Sequence, residues 1–165
     1  MISKKMQDAL NGQANAELYS AYLYLAMEAY FHSENLPGFA NWMRVQNQEE
    51  VTHAMKIYDF INDRQGRAAL EEIAKPPGVW KSPLAVFEAA YKHEQKVTGL
   101  INNLVELAVK EKDHATEIFL QWFVTEQVEE EKNASEIVAK LQLLKDSAGS
   151  MYMLDKELGK RGAAK

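Results

Sequence analysis

The four prolines of this chain stand in only three places: Pro37, Pro76-Pro77 and Pro83. A proline inside a helix removes a hydrogen bond and clashes with the carbonyl one turn back, costing about 3 kcal/mol. Long helices must therefore lie between these points, and the stretches between them carry apolar residues at helical spacing. Leu10, Ala14, Leu18, Ala21 and Leu25 recur three or four apart, which predicts a first helix over about 3–31 with Ser3 as its N-cap. The run Asn35-Leu36-Pro37-Gly38 breaks it. A second helix is predicted over about 39–63, with Trp42, Val45, Met55 and Ile57 on its apolar side and Gly66 as its stop. Ser82-Pro83 opens a third over about 83–110, an N-cap followed by proline at the first helical position. Asp113 caps a fourth over about 113–144. After a loop at Asp146–Ser150, a short fifth helix is expected over about 151–158.

The lengths of the breaks dictate topology. Helices one and two are joined by a few residues and are antiparallel neighbours, and so are three and four. About sixteen residues separate helices two and three, and extended they reach about 53 Å. A helix of about 25 residues is only about 38 Å long. The connection can cross the whole bundle and leave helices two and three parallel. The expected fold is all-α: a single domain over 1–165, a four-helix bundle of the ferritin-like kind with one long crossover and a short fifth C-terminal helix.

Composition then removes whole classes of chemistry. The 165 residues contain no cysteine, which excludes disulfides, thiolate zinc sites, iron–sulfur clusters and thiol nucleophiles. The formal net charge of −5 speaks against a nucleic-acid partner and for cations as ligands. No apolar run has the length of a signal peptide or a membrane span, so a cytoplasmic protein without a membrane partner is expected.

The chemistry lies in acidic residues near apolar stripes. Glu17 stands on the first helix and Glu94 on the third. Glu50 and His53 are three apart on the second, as are Gln127 and Glu130 on the fourth, so each pair shares a helix face. The two halves match: Glu17 and Glu50 are separated by 33 positions, and so are Glu94 and Gln127. One Glu from each of two helices, joined by a Glu-x-x-His pair from each of the others, is the ligand pattern of di-iron carboxylate bundles. Here the second pair is Gln-x-x-Glu. Carboxylates and imidazole suit iron, and two divalent cations explain how so many acids share one interior. Glu111 and His114 also read Glu-x-x-His but fall at a helix break and are taken as structural.

Across nearly its whole length the chain resembles the prokaryotic non-haem ferritins. The runs that carry the resemblance are 15–24 (NAELYSAYLY), 48–53 (QEEVTH), 119–123 (FLQWF), 126–131 (EQVEEE) and the ending 154–158 (LDKEL). The resemblance implies an iron-storage protein with a ferroxidase centre that oxidises Fe(II) with dioxygen, in a shell of 24 like subunits. It implies a site of Glu17, Glu50 and His53, and a second of Glu50, Glu94 and Glu130, with Glu50 bridging and Gln127 alongside. A third iron would use Glu49, Glu126, Glu129 and Glu130, which otherwise read as a solvated acidic face. Tyr24, two turns beyond Glu17, hydrogen-bonds a ligand, donates an electron, or is a core tyrosine. Trp122 reads as core packing, although the family places it near the iron. His32 and His93 read as structural or exposed.

Rival readings remain. A bacterioferritin-like haem cage carries an axial Met after the bridging Glu, where this chain has Val51, so no haem is expected. A rubrerythrin-like peroxidase needs cysteines. A di-iron oxidase without a storage role and a metal-free helical scaffold complete the alternatives.

Overall fold

In the computed structural model, which describes residues 1–144 and 147–162, the elements are α1 (Lys4–Ser33), α2 (Pro37–Asp63), α3 (Pro83–Glu111), α4 (His114–Leu143) and α5 (Ala148–Leu158). The expected N-caps form. Ser3 Oγ accepts from the Met6 amide, Ser82 from Ala85 and Asp113 from Thr116. Two boundaries differ from expectation. α2 begins at Pro37, because proline at the first helical position has its φ pre-set and needs no amide partner. The break is therefore only Glu34–Leu36. α5 begins at Ala148, since Ser147 caps it through the Ser150 amide; the rest of the expected loop, Asp146, lies outside the described residues.

Three helices end in the same way. Asn35, Gln65 and Lys112 adopt left-handed φ values of 56°, 58° and 56°. At α2 the Gly66 amide then reaches back to the Ile61 carbonyl and the Gln65 amide to that of Asn62. This is the paired bonding that satisfies orphan carbonyls at a helix end. Gln65, not Gly66, takes the left-handed position. Gly66 serves another purpose: a Cβ there would lie 2.9 Å from Ile2 and 3.0 Å from Ile61.

The crossover does span the bundle. It leaves α2 beside the start of α1, where the Ile2 amide donates to the Arg64 carbonyl. It ends with Trp80 edge-on to Tyr30, near the far end of α1, at 5.7 Å between ring centres. Along the way one polar stripe of α1 satisfies its backbone. Gln7 accepts from the Arg67 amide, Asn11 exchanges bonds with Arg67 and Ala69, and Asn15 donates to the Glu72 carbonyl. A connection without secondary structure needs such partners where it lies against protein. Arg64 also pairs with Asp113 at 3.0 Å, bringing the end of α2 to the start of α4. Since α3 ends there too, α2 and α3 run parallel.

Two apolar cores fill the bundle. One gathers Met27, Phe31, Phe39, Met43, Phe87 and Leu141 under α5. The other gathers Met6, Leu10, Ile57, Ile61, Ile101 and Phe123 at the opposite end. Leu25 and Met55, expected on apolar faces, are instead exposed, as are Tyr22 and Val51. α5 is seated by Asp155, whose buried carboxylate accepts from the Gly38 amide at 2.7 Å and the Phe39 amide at 3.1 Å. It thereby caps the start of α2 across space, where a helix dipole favours negative charge. Gly38 permits that approach: a Cβ there would stand 1.7 Å from the Asp155 carbonyl oxygen. No described helix is long and apolar enough to cross a membrane.

Candidate metal centre

Between the two cores the interior turns polar. Glu17, Glu50, His53, Glu94, Gln127 and Glu130 are all buried there, one or two from each of the four long helices. The three-residue spacing on α2 sets His53 Nδ1 3.4 Å from Glu50 Oε2. Ligand atoms of Glu17, Glu50 and His53 come within 4.8 Å of one another, and so do those of His53, Glu126 and Glu130. Among the described residues Glu50, Glu94 and Glu130 are not drawn into one equally tight group. Glu94 is engaged on its own side, accepting from the Tyr24 hydroxyl and from Gln127 Nε2 at 3.2 Å. Tyr24 is fully buried and hydrogen-bonds a candidate ligand directly.

The remaining expected residues divide. Glu126 stands beside Glu130, Glu129 is exposed, and Glu49 is partly buried and paired with Arg161. Trp122 is not core packing. It is 36% exposed, sits edge-on to His53 at 5.3 Å, and carries Lys56 over its ring. His93, adjacent to Glu94 in sequence, turns towards α1 and shares a 2.7 Å hydrogen bond with Ser20. Burial, aided by Lys96, lowers its pKa to about 4, so it stays neutral. Glu111 accepts from Ser3 while His114 pairs with Glu117, so that Glu-x-x-His run forms no site.

Two buried glutamines escaped the sequence reading. Gln13 Nε2 donates to Glu17 Oε1 at 2.8 Å. Gln46 Nε2 donates to Glu50 Oε1 at 3.3 Å and to Glu130 Oε2 at 2.6 Å. A signal for them existed: each stands four residues before its glutamate, on the same helix face, and the pair repeats the 33-residue spacing of Glu17 and Glu50.

Burial alone does not mark a cation ligand, as Glu28 shows. It is also buried on α1, but Arg44 supplies its counter-charge, with Nε 2.9 Å away. Among the described residues no Lys or Arg pairs with Glu17, Glu50, Glu94 or Glu130, and Glu17 Oε2 has no partner at all. Ionising four such groups in a dry interior is costly. Their carboxyls accordingly hold a proton more tightly than a solvated carboxyl does. Burial and the neighbouring Glu50 raise Glu17 well above the carboxylate range; burial, Glu94 and Glu130 do the same to Glu50. Glu94 is raised by burial, and Glu130 is pushed up to about 8 by burial and Glu94. A hard divalent cation would replace those protons and satisfy the unpaired oxygen.

Known proteins share this fold. The profile of the ferritin family, described as a Ferritin-like domain, matches residues 7–144. The chain is 45% identical to a bacterial non-heme ferritin of Bacteroides fragilis over 98% of its own length and 100% of the other's. It is 41% identical to one from Staphylococcus aureus, over 98% and 97%. Its structure is similar to an open-pore ferritin of the hyperthermophilic archaeon Archaeoglobus fulgidus, with a TM-score of 0.97, 56% identity and 98% of both chains covered.

Proposed function

The chain belongs to the ferritin family, in its prokaryotic non-haem branch, and from that premise we propose that it oxidises Fe(II) with dioxygen at the buried acidic centre and stores the Fe(III) product inside a shell of its own copies. The observation that carries this is the set of four buried carboxylates with which, among the described residues, no Lys or Arg pairs. Glu17, Glu50 and His53 bind one Fe(II). Glu50 reaches across to a second, which Glu94 and Glu130 complete, with Gln127 alongside. Glu49, Glu126, Glu129 and Glu130 hold a third iron on its way out.

The residues supply geometry, charge and proton traffic, while iron and dioxygen supply the redox chemistry. Each Fe(II) gives up one electron, and dioxygen is the acceptor. Gln13 and Gln46 fix the carboxylates by donating to one oxygen and leaving the other free. Tyr24 and Gln127 orient Glu94 by donating one to each of its oxygens. The carboxyl protons leave as the cations arrive, and the charge of the cations offsets the repulsion that the ionised carboxylates would otherwise exert on one another.

The whole chain, residues 1–165, works as one domain in the cytoplasm, in an assembly of 24 subunits without haem. The exposed apolar side chains Tyr22 and Leu25 on α1 and Val51 and Met55 on α2 support burial against further copies. The test is anaerobic addition of Fe(II) followed by air, watched by absorbance and particle size. Rapid oxidation of about two Fe(II) per chain and iron retained in a large particle are expected, one ion for each half of the paired motif. Oxidation no faster than in buffer removes the ferroxidase, and oxidation without retention removes the store.

A further inference from the structure

Arg161 lies beyond the end of α5 and has no part in the oxidation chemistry, yet its side chain is tied to the acidic group. Its Nη2 pairs with Glu49 Oε2, and both side chains are about four-fifths buried. Its guanidinium lies over the Trp42 ring at 4.4 Å and Nη1 donates to the Trp42 carbonyl at 3.4 Å. Its own carbonyl accepts from Asn41 Nδ2 at 3.1 Å. The Asp155 cap on α2 fixes the helix that leads into this tail. Such a cation is placed by packing on three sides, unlike a solvated surface partner whose charge is largely screened.

Burial raises the pKa of Glu49, the paired Arg161 opposes that shift, and the like charges of Glu126 and Glu129 add to it in smaller measure. Glu126 in turn shares a cluster with His53 and Glu130. A cation arriving there meets a glutamate already committed to a fixed positive charge.

We propose that Arg161 is a positioning residue for the third iron, holding the Glu49 carboxylate and occupying part of the positive charge that the acidic face can accept. Iron that leaves the two-metal centre is then bound only weakly at the third position and passes on. The inference rests on the reading that Glu49, Glu126, Glu129 and Glu130 form that position. It links the C-terminal tail, through the seating of α5, to how long an ion stays on the exit route.

The test uses the assembled full-length protein and Zn(II), which binds carboxylate and imidazole without redox chemistry. Equilibrium titration is expected to resolve three affinity classes in the wild type. Arg161→Gln tightens the weakest class by roughly tenfold, about the gain expected when a half-screened positive charge is withdrawn. Arg161→Lys, which keeps the charge, stays near the wild type. Zn(II)-soaked crystals of Arg161→Gln show higher occupancy beside Glu49 and Glu126. An unchanged weakest class in Arg161→Gln overturns the proposal, as does a uniform shift of all three classes or an Arg161→Lys that behaves like Arg161→Gln. Glu126→Gln probes the underlying reading separately. If it leaves the weakest class intact, or if the wild type has no third class, the third position itself fails and the proposal falls with it.

Discussion

Filling the centre with cations is expected to expel protons, in a number that falls as pH rises. Glu130 titrates at about 8 because it is buried beside Glu94. One pH unit below its pKa a carboxyl is roughly nine-tenths protonated, and one unit above it roughly one-tenth. A bound cation needs the carboxylate, so Glu130 alone releases roughly 0.9 proton per chain near pH 7 and roughly 0.1 near pH 9. Glu17, Glu50 and Glu94 are raised as well and add to the release. The same groups make the cation-free protein lose stability with rising pH. Their folded pKa values lie above the unfolded ones, so the stabilisation is complete below about pH 4.5 and is lost as pH climbs through the folded values. For Glu130 the slope is about 1.4 kcal/mol per pH unit, or about 3 kcal/mol between pH 4.5 and 7. The assay is anaerobic Zn(II) titration with a pH indicator, paired with calorimetry in buffers of different ionisation enthalpy. Glu130→Gln is expected to lose its own share of the release. Proton release that is absent, or flat between about pH 6 and 9, would refute the assignment of these buried acids as protonated ligands.

Other perturbations separate the roles. His53→Ala removes the only nitrogen in the Glu17–Glu50–His53 group and is expected to slow the fast oxygen-dependent phase, read by stopped-flow absorbance, by on the order of tenfold or more, since changes merely behind a ligand cost that much. Gln127→Glu supplies a charge where the second half of the motif has an amide. Iron-soaked crystals are expected to show higher occupancy beside Glu94 than in the wild type, and iron release to slow; equal and persistent occupancy of both sites in the wild type would contradict this. Gly38→Ala forces the Asp155 carbonyl away from a new Cβ. It is expected to unseat α5 at a cost of about 3 kcal/mol, from two hydrogen bonds to a charged group, visible as a lower melting temperature and a smaller particle by light scattering.

Much of this protein is legible along the chain. Proline placement, Ser and Asp caps and apolar spacing determine the four long helices, and break lengths determine which pairs are antiparallel. The paired 33-residue spacing marks Glu17, Glu50, Glu94 and Gln127 because helical geometry turns fixed spacings into shared faces. Caps and periodicity are local, so they survive translation into sequence. What the tertiary structure decided is which charges are answered and by what. Glu17 and Glu28 both become buried on α1, but only packing shows that Arg44 neutralises Glu28 while, among the described residues, no Lys or Arg pairs with Glu17. The pairing of Arg161 with Glu49 spans 112 positions and the Asp155 cap on Gly38 spans 117. Trp122 reads as a core residue by type but lies at the rim of the site, edge-on to His53. A side chain's burial, its counter-charge and its distant partner depend on how helices pack against one another. No spacing within a single helix encodes them.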